Sequence, residues 1–227
     1  MQLKYTLRLA EKEDAPQILE YLIEHFFPQE PCSKALHLNS AQLRPIYAAL
    51  IDRCLQFPFS TVVTLESGEI IAVLLNSIWR RDDDPEEGAD YDVEGDTQSE
   101  NLEKFIEMLN KCHEDFWTLA PPSVNVVIHR EISSVSLQWQ RKGIATKMVT
   151  ANMTNARIAE YGVNGVISET SSFANQTLLF NQGFKCLKEI PYSDIVDSQG
   201  NRILKTDDGS EGLRLNLKLI EHFKLEL

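Results

Sequence analysis

The sequence predicts a mixed α/β domain built around one β-sheet. Three observations carry this expectation. Strand-like and helix-like periodicities alternate along the chain, the sign of a layered α/β arrangement. The 227 residues, 43% of them hydrophobic, suffice for a single large domain with a sizeable core. The one long stretch poor in apolar residues, from 80 to 100, is dense in Asp, Glu and Gly. It reads as a solvated insertion within one domain spanning residues 1–227, not as a linker.

The elements follow in order. Tyr5-Thr6-Leu7-Arg8-Leu9 alternates as a strand, and Glu11 to Asp14 supply a helix start before Ile18, Leu19, Leu22, Ile23 and Phe26 recur at helical spacing. After Pro28-Gln29-Glu30-Pro31, Ser40 is placed to cap a second helix through Leu43, Tyr47, Leu50, Ile51 and Leu55, ending at Pro58. Thr61 to Leu65, the turn Ser67-Gly68-Glu69, and Ile70 to Leu75 read as an antiparallel hairpin whose second strand reaches toward Trp79. Helical spacing resumes from Leu102 to Leu119. A strand region from Val124 to about Leu137 is interrupted by Glu131, Ser133 and Ser134, consistent with a bulge or a hairpin. From Gly143 one helix is expected to about Tyr161, followed by the strand Val166 to Thr170. A short helix from Asn175 to Gln182 stops at Gly183, and strands Phe184 to Ile190 and Leu213 to Ile220 flank a polar loop.

Composition excludes several classes of function. A net charge of −12 opposes unassisted binding to nucleic acid or anionic membranes, which carry the same sign. No run is long and apolar enough to span a membrane, and the first residues lead into a strand pattern without the apolar stretch of a secretion signal. Cys32, Cys54, Cys112 and Cys186 form no CxxC pair, so neither a zinc site nor a disulfide framework is indicated and a reducing compartment, the cytoplasm, is expected. The five histidines, His25, His37, His113, His129 and His222, have no metal-ligand spacing, and no metal is expected. Of these, His37 is the one expected to come nearest the pocket, although a surface position is the plainer reading.

The segment Val135 to Thr146 reads as a strand end, a short basic turn Gln140-Arg141-Lys142-Gly143, and a helix start. Free backbone N–H groups in such a turn favour a pyrophosphate, and Gly143 and Ala145 would let phosphates approach the backbone. On its own the turn is equally an ordinary strand-to-helix connection with surface cations.

Gln140-x-x-Gly143-x-Ala145 resembles the coenzyme A motif of the GCN5-related N-acetyltransferase (GNAT) superfamily, Gln/Arg-x-x-Gly-x-Gly/Ala after a strand. Asn175 followed by Leu178 to Phe184 resembles that superfamily's late helix with its Gly-Phe ending, so the paired motifs cover roughly residues 124 to 190. Phe26-Phe27-Pro28-Gln29-Glu30-Pro31 is similar to the Phe-Phe-x-x-Glu-Pro segment of insect-type arylalkylamine (dopamine) N-acetyltransferases. The resemblance implies the GNAT fold: a mixed, mostly antiparallel sheet with a central splayed pair of parallel strands, flanked by helices.

It further implies acetyl-CoA as co-substrate, held by Val135, Leu137, Gln140, Arg141, Lys142, Gly143, Ile144, Ala145, Thr146 and Asn175. A bulge in the first splayed strand would free N–H groups, with the N–H near Val135 polarising the thioester carbonyl. The resemblance assigns Glu30 as general base and points to hydroxyls after the fifth strand, Ser171 foremost, as donors to the leaving thiolate. The late-helix tyrosine of many relatives is missing, and Asn175 stands where a second serine is expected. Phe26, Phe27, Trp139 and Tyr192 are candidates for an aromatic amine pocket, though most are as readily core. The partner implied is a small amine, foremost an arylalkylamine, bound to a monomer or homodimer. A polyamine, a protein lysine or N-terminus, and a catalytically degenerate acetyl-CoA-binding protein are the alternatives.

Overall fold

The structure, a computed structural model, describes residues 4–83 and 99–225. The expected insertion therefore lies for the most part outside the described residues. Seven strands form one sheet: β1 (Tyr5–Leu9), β2 (Thr61–Leu65), β3 (Ile70–Arg80), β4 (Val126–Val135), β5 (Gly165–Thr170), β6 (Lys185–Pro191) and β7 (Gly212–Leu219). Their order is β1-β2-β3-β4-β5-β7-β6. Every neighbouring pair is antiparallel except β4 and β5, which are parallel at the centre. The chain between these two strands crosses over through helices, as parallel pairing requires.

Helices cover both faces. Helices α1 (Ala15–Tyr21), α2 (Pro31–Ala35), α3 (Ser40–Cys54), α4 (Glu100–His113) and α5 (Phe116–Leu119) precede β4, whereas α6 (Ile144–Met148), α7 (Asn155–Tyr161) and α8 (Phe173–Asn181) follow it. Ile18, Leu43, Ile51, Leu102 and Met108 of the first group pack with Val73, Leu75, Val127 and Ile132 of the sheet. Val149, Ile158 and Leu179 pack on Ile128 and Val166, and Ile144 and Met148 on Ile71 and Leu74. With helices on both sides, β3 is buried along nearly its whole length, which is why it reads as an unbroken apolar run. No helix among the described residues is long and apolar enough to cross a membrane.

Two features at the centre of the sheet shape the cleft. Leu75 pairs with Ile132 and Asn76 with Arg130, so Glu131 has no partner on β3 and forms a β-bulge. The bulge shifts the alternation by one: Val127 and His129 precede it, and Ile132 and Ser134 follow it, on the face packed by α1 and α3. The parallel ladder between β4 and β5 runs only from Val127–Gly165 to His129–Ile167. Beyond it β4 continues on β3 and β5 continues on β7, so the two strands part.

Several boundaries differ from expectation. The region from Val124 is one bulged strand, not a hairpin. The helix expected from Gly143 to Tyr161 is two, because Asn152 adopts φ 62° and Thr154 begins a new helix by accepting the Arg157 N–H. Likewise α4 and α5 are separate, and α8 begins at Phe173 with Ser172 as its cap, two residues before Asn175. Asn39, not Ser40, caps α3. The short helix α2 was not expected from the Pro-rich segment; Pro31 occupies its first turn, where a missing N–H costs nothing.

Gly212 is fixed by close approach: an added Cβ would lie 2.9 Å from the Ile190 carbonyl oxygen and 2.8 Å from Glu189 Oε1. Gly212→Ala is expected to force β6 from β7 and lower stability by about 1–3 kcal/mol, read as a lower urea midpoint.

Candidate active site

The parting of β4 and β5 opens a cleft of about 490 Å³. One wall is the end of β4 and the turn after it, the other the segment following β5 and the start of α8, with the Phe26–Pro31 segment across the mouth. The Glu131 side chain is fully buried while the residue as a whole is half-exposed, so the bulge turns its backbone toward the cleft and its carboxylate away.

The turn after β4 has an unusual backbone. Arg141 has φ 61° and Gly143 φ 77°, two left-handed residues around Lys142. For Arg141 this conformation costs about 1–3 kcal/mol, strain of the kind that marks functional turns. Alternation of this sort turns successive N–H groups to one side and makes an anion-binding concavity. At Gly143 a Cβ would meet nothing within 4 Å, so its requirement is the positive φ, not room. Gln140 anchors the turn: its Nε2 donates to Val135 O at 3.0 Å and to Gln29 Oε1 at 2.6 Å. The residues present therefore fit a pyrophosphate, with Arg141 adding charge.

Glu30 lines the same cleft. The chain from α1 continues through a π-helical turn (Leu22–Phe26) and a 3₁₀ turn (Phe27–Gln29), and this change of pitch brings Glu30 to the cleft. Glu30 caps α2, accepting from Cys32 N at 3.2 Å and Ser33 N at 2.5 Å, and is only 6% exposed. Burial, reinforced by the negative charge of Glu30, pushes the Cys32 thiol and the Tyr47 phenol upward.

A second polar assembly lies at the base of the cleft, where the parallel ladder ends. His129 Nδ1 is 3.0 Å from Glu131 Oε1, and its Nε2 meets Glu169 Oε2 across the parting strands. Glu131 Oε1 also accepts from Ser77 Oγ at 2.6 Å and Arg53 at 3.0 Å. Trp79 packs on the His129 ring at 4.1 Å between centroids and on His113 at 5.0 Å. Burial opposes charge on His129, yet the fields of Glu131 and Glu169 outweigh it and push its pKa up to about 10. Burial likewise opposes ionised Glu131, but His129, with help from Arg53 and Ser77, brings it down to about 2. Glu169 is held well below the usual carboxylate range by His129 and His113, again against burial. These contacts join Arg53, Glu131, His129, Glu169 and His113 into one ionic chain.

Of the residues expected to form the site, Glu30, Ser171, Val135, Gln140, Arg141, Gly143, Ile144, Ala145, Thr146, Asn175, Phe26 and Trp139 line the cleft. Four do not. Leu137 is 73% exposed beyond it. Lys142 turns back, its Nζ 4.7 Å from the Trp139 ring centre and donating to Gln138 O. Phe27 packs against the core, and Tyr192 is wholly buried, its hydroxyl donating to Ser171 O at 2.8 Å. His37 is exposed and also outside the lining. The bulge lies at Glu131, four residues before Val135, where the polarising N–H was expected. Sequence reasoning missed Glu169 and its partners. The signal available was His129-Arg130-Glu131, three consecutive titratable residues inside a strand.

No family model matches the chain, and no curated protein matches it in sequence. In structure, the fold is that of the GNAT N-acetyltransferases: an open mixed sheet with the central parallel pair, flanked by helices. Arylalkylamine N-acetyltransferase 2 from Aedes aegypti is 22% identical, with 96% of this chain and 99% of that one covered at a TM-score of 0.80. Drosophila melanogaster polyamine N-acetyltransferase, described as forming N-acetylagmatine, is 15% identical, with 96% and 100% covered at 0.75. The C-terminal condensation domain of Ebony, in complex with β-alanyl-dopamine, is 18% identical, with 96% and 100% covered at 0.69.

The ionic chain sets a pH dependence. Because the folded pKa of His129 lies above the ordinary value of 6.5, its contribution is complete below that value and is lost as pH rises through about 10. Glu131 works in the opposite sense, contributing above 4.5 and losing its part as pH falls toward about 2. The His129 imidazole carbon resonances should accordingly titrate near pH 10 in NMR; titration near 6.5 would show that the two carboxylates do not hold its proton.

Proposed function

We propose that the protein is an acetyl-CoA-dependent N-acetyltransferase acting on a small primary amine, most specifically an arylalkylamine, by direct transfer in a ternary complex. One observation carries this reading. A single cleft, opened by parting parallel strands, is lined both by a left-handed, cationic turn and by the buried carboxylate Glu30.

Arg141, Gly143 and the first turn of α6 are suited to phosphates, and Asn175 and the unladdered edge of β4 to the pantetheine arm. Bound acetyl-CoA supplies an activated acetyl thioester. The backbone turned out at Glu131 and the neighbouring end of β4 offer fixed dipoles for the negative charge that develops on the thioester oxygen. An alkylamine is protonated near neutrality, and Glu30 is the carboxylate at the mouth able to take its proton. Ser171, also in the lining, is the donor proposed for the departing sulfur. Holding both substrates in one cleft supplies much of the rate. Phe26 and Trp139 in the lining support an aromatic acceptor. A polyamine is the second reading, supported by Glu30, Glu169 and Asp208 in the same lining.

Two variants test the assignments. Gly143→Glu, which forces a bulky anion into the left-handed turn, should abolish acetyl-CoA binding in calorimetry while the protein stays folded. Glu30→Gln retains a side-chain oxygen for the α2 cap, so it should fold yet lower kcat/KM for the amine by about 10²–10⁴-fold. Full activity of this variant across pH would remove Glu30 from the mechanism.

A further inference from the structure

Two consecutive serines interrupt β4, and the transfer chemistry proposed above uses neither of them. Both Ser133 and Ser134 line the cleft. Neighbours in a strand point to opposite faces, and the bulge at Glu131 decides which serine faces which way. Ser133 pairs with Leu74, which packs with Ile144 and Met148 of α6; directly opposed residues share a face, so Ser133 lies on the α6 side. Ser134 lies on the other side, against α1, where its Oγ is 3.2 Å from the Tyr21 hydroxyl. Tyr21 is the last residue of α1, and from it the chain runs through the π-helical and 3₁₀ turns to Glu30.

The protons around Ser134 leave it an acceptor. A hydroxyl has one proton and two lone pairs. Tyr21 Oη is also 3.3 Å from Ile71 O, and burial pushes the phenol pKa up, so Tyr21 keeps its proton and gives it to Ile71 O or to Ser134 Oγ. In the first case Ser134 donates to Tyr21 and both its lone pairs are unused. In the second, one lone pair and the Ser134 proton are unused. Either way Ser134 Oγ can accept from a group in the cleft. Ser134 is 8% exposed, so its oxygen is held firmly between α1 and β3 while still contributing to the lining.

A neutral primary amine has one lone pair and two hydrogens on nitrogen. One hydrogen is lost when the amide forms, and the other stays. Glu30 is the group proposed to receive the first. An acceptor for the second fixes rotation about the amine's C–N bond and so aims the lone pair at the thioester carbon.

We propose that Ser134 Oγ, held by Tyr21, accepts a hydrogen bond from the N–H that the amine keeps, so that Ser134 and Glu30 together orient the nitrogen and the cleft selects primary amines over N-methylated ones. This rests on the proposed amine acetylation and adds a residue to it. The step starts from the amine that Glu30 has neutralised, with that proton passed to solvent. The nitrogen lone pair forms the C–N bond, and the C–S electron pair leaves with sulfur. One nitrogen proton passes to Glu30, and sulfur takes a proton from water through Ser171. The proton facing Ser134 is not transferred and remains on the amide nitrogen of the product. Ser134 touches the reacting nitrogen, and Tyr21 is a positioning residue behind it.

The test compares phenethylamine with N-methylphenethylamine in steady-state thiol release. The neutral N-methyl compound has a single hydrogen on nitrogen, so with that one directed to Glu30 a methyl group faces Ser134. The unmodified protein should favour phenethylamine by about 100-fold or more in kcat/KM. Ser134→Ala should lower kcat/KM for phenethylamine about tenfold, mainly through kcat, and leave the N-methyl compound within about twofold, so that the preference shrinks. Tyr21→Phe should shrink it by a smaller factor, and an unmoved preference in that variant removes Tyr21 from the role. Unchanged acetyl-CoA affinity in calorimetry reports that both variants are folded. If Ser134→Ala slows both amines equally, its effect is structural and the assignment is overturned. Equal use of the two amines by the unmodified protein overturns it without any variant. Absence of turnover with every amine counts against the acetyltransferase reading instead. Calorimetry on the CoA-loaded protein then decides the Ser134 assignment with phenethylamine and N,N-dimethylphenethylamine, whose ammonium has one hydrogen. Phenethylamine should bind about fivefold tighter or more, and Ser134→Ala should remove the difference; equal affinity for the unmodified protein, or a difference that survives in the variant, overturns it.

Discussion

The interruption of hydrogen bonding between β4 and β5 is the constraint on which the rest of the structure depends. A parallel pair at the centre of a sheet is normally covered and laddered along its whole length. Here three residue pairs join the strands and then each follows its other neighbour, β4 on β3 and β5 on β7. The bulge at Glu131 falls just past the end of that ladder, bending β4 and putting its alternation out of step. Everything the cleft offers follows: backbone groups without a strand partner, a turn displaced from β5, and room between two walls that the surrounding core keeps rigid.

Opening a sheet at its centre leaves polar groups that water cannot freely reach, and the ionic chain is the local answer. His129 spans the gap to Glu169 where the next ladder pair would have been, and Glu131 and Ser77 tie the same imidazole to the bulge and to β3. Burying these charges costs several kcal/mol for each ion, offset only because each is matched and hydrogen-bonded. The assembly joins the two strands by side chains at the point where their backbone ladder ends. On the opposite side of the cleft, Tyr192 performs a similar service with a neutral bond, fixing the Ser171 carbonyl from beneath.

Much of this organisation was legible in the sequence. The hairpin of β2 and β3, the late strands and the turn ending at Gly143 carry strong local signals, apolar β-branched runs and glycines at positive φ, and local signals survive into the fold. Glu30 was legible through its motif, and it does line the cleft. Helix ends fared worse, because whether a periodic apolar stretch continues through Asn152 or Glu114 is set by packing that the periodicity does not encode. The same limit hid the ionic chain. Its members come from residues 53, 77, 113, 129, 131 and 169, and a single sequence holds no record that these distant positions meet. Tyr192 failed for a related reason: an aromatic residue reads alike whether it walls a pocket or supports it from behind.

The Gln140 amide joins two parts of the molecule that the chain separates by more than a hundred residues. By bonding Gln29 Oε1 and Val135 O together, it couples the turn suited to phosphates to the residue immediately before Glu30. A displacement of either is opposed by the other, so free energy released at the phosphate end is available to steady the loop at the amine end. The two halves of the cleft are thereby mechanically continuous, and a ligand that settles the turn also stiffens the mouth through which its co-substrate must pass.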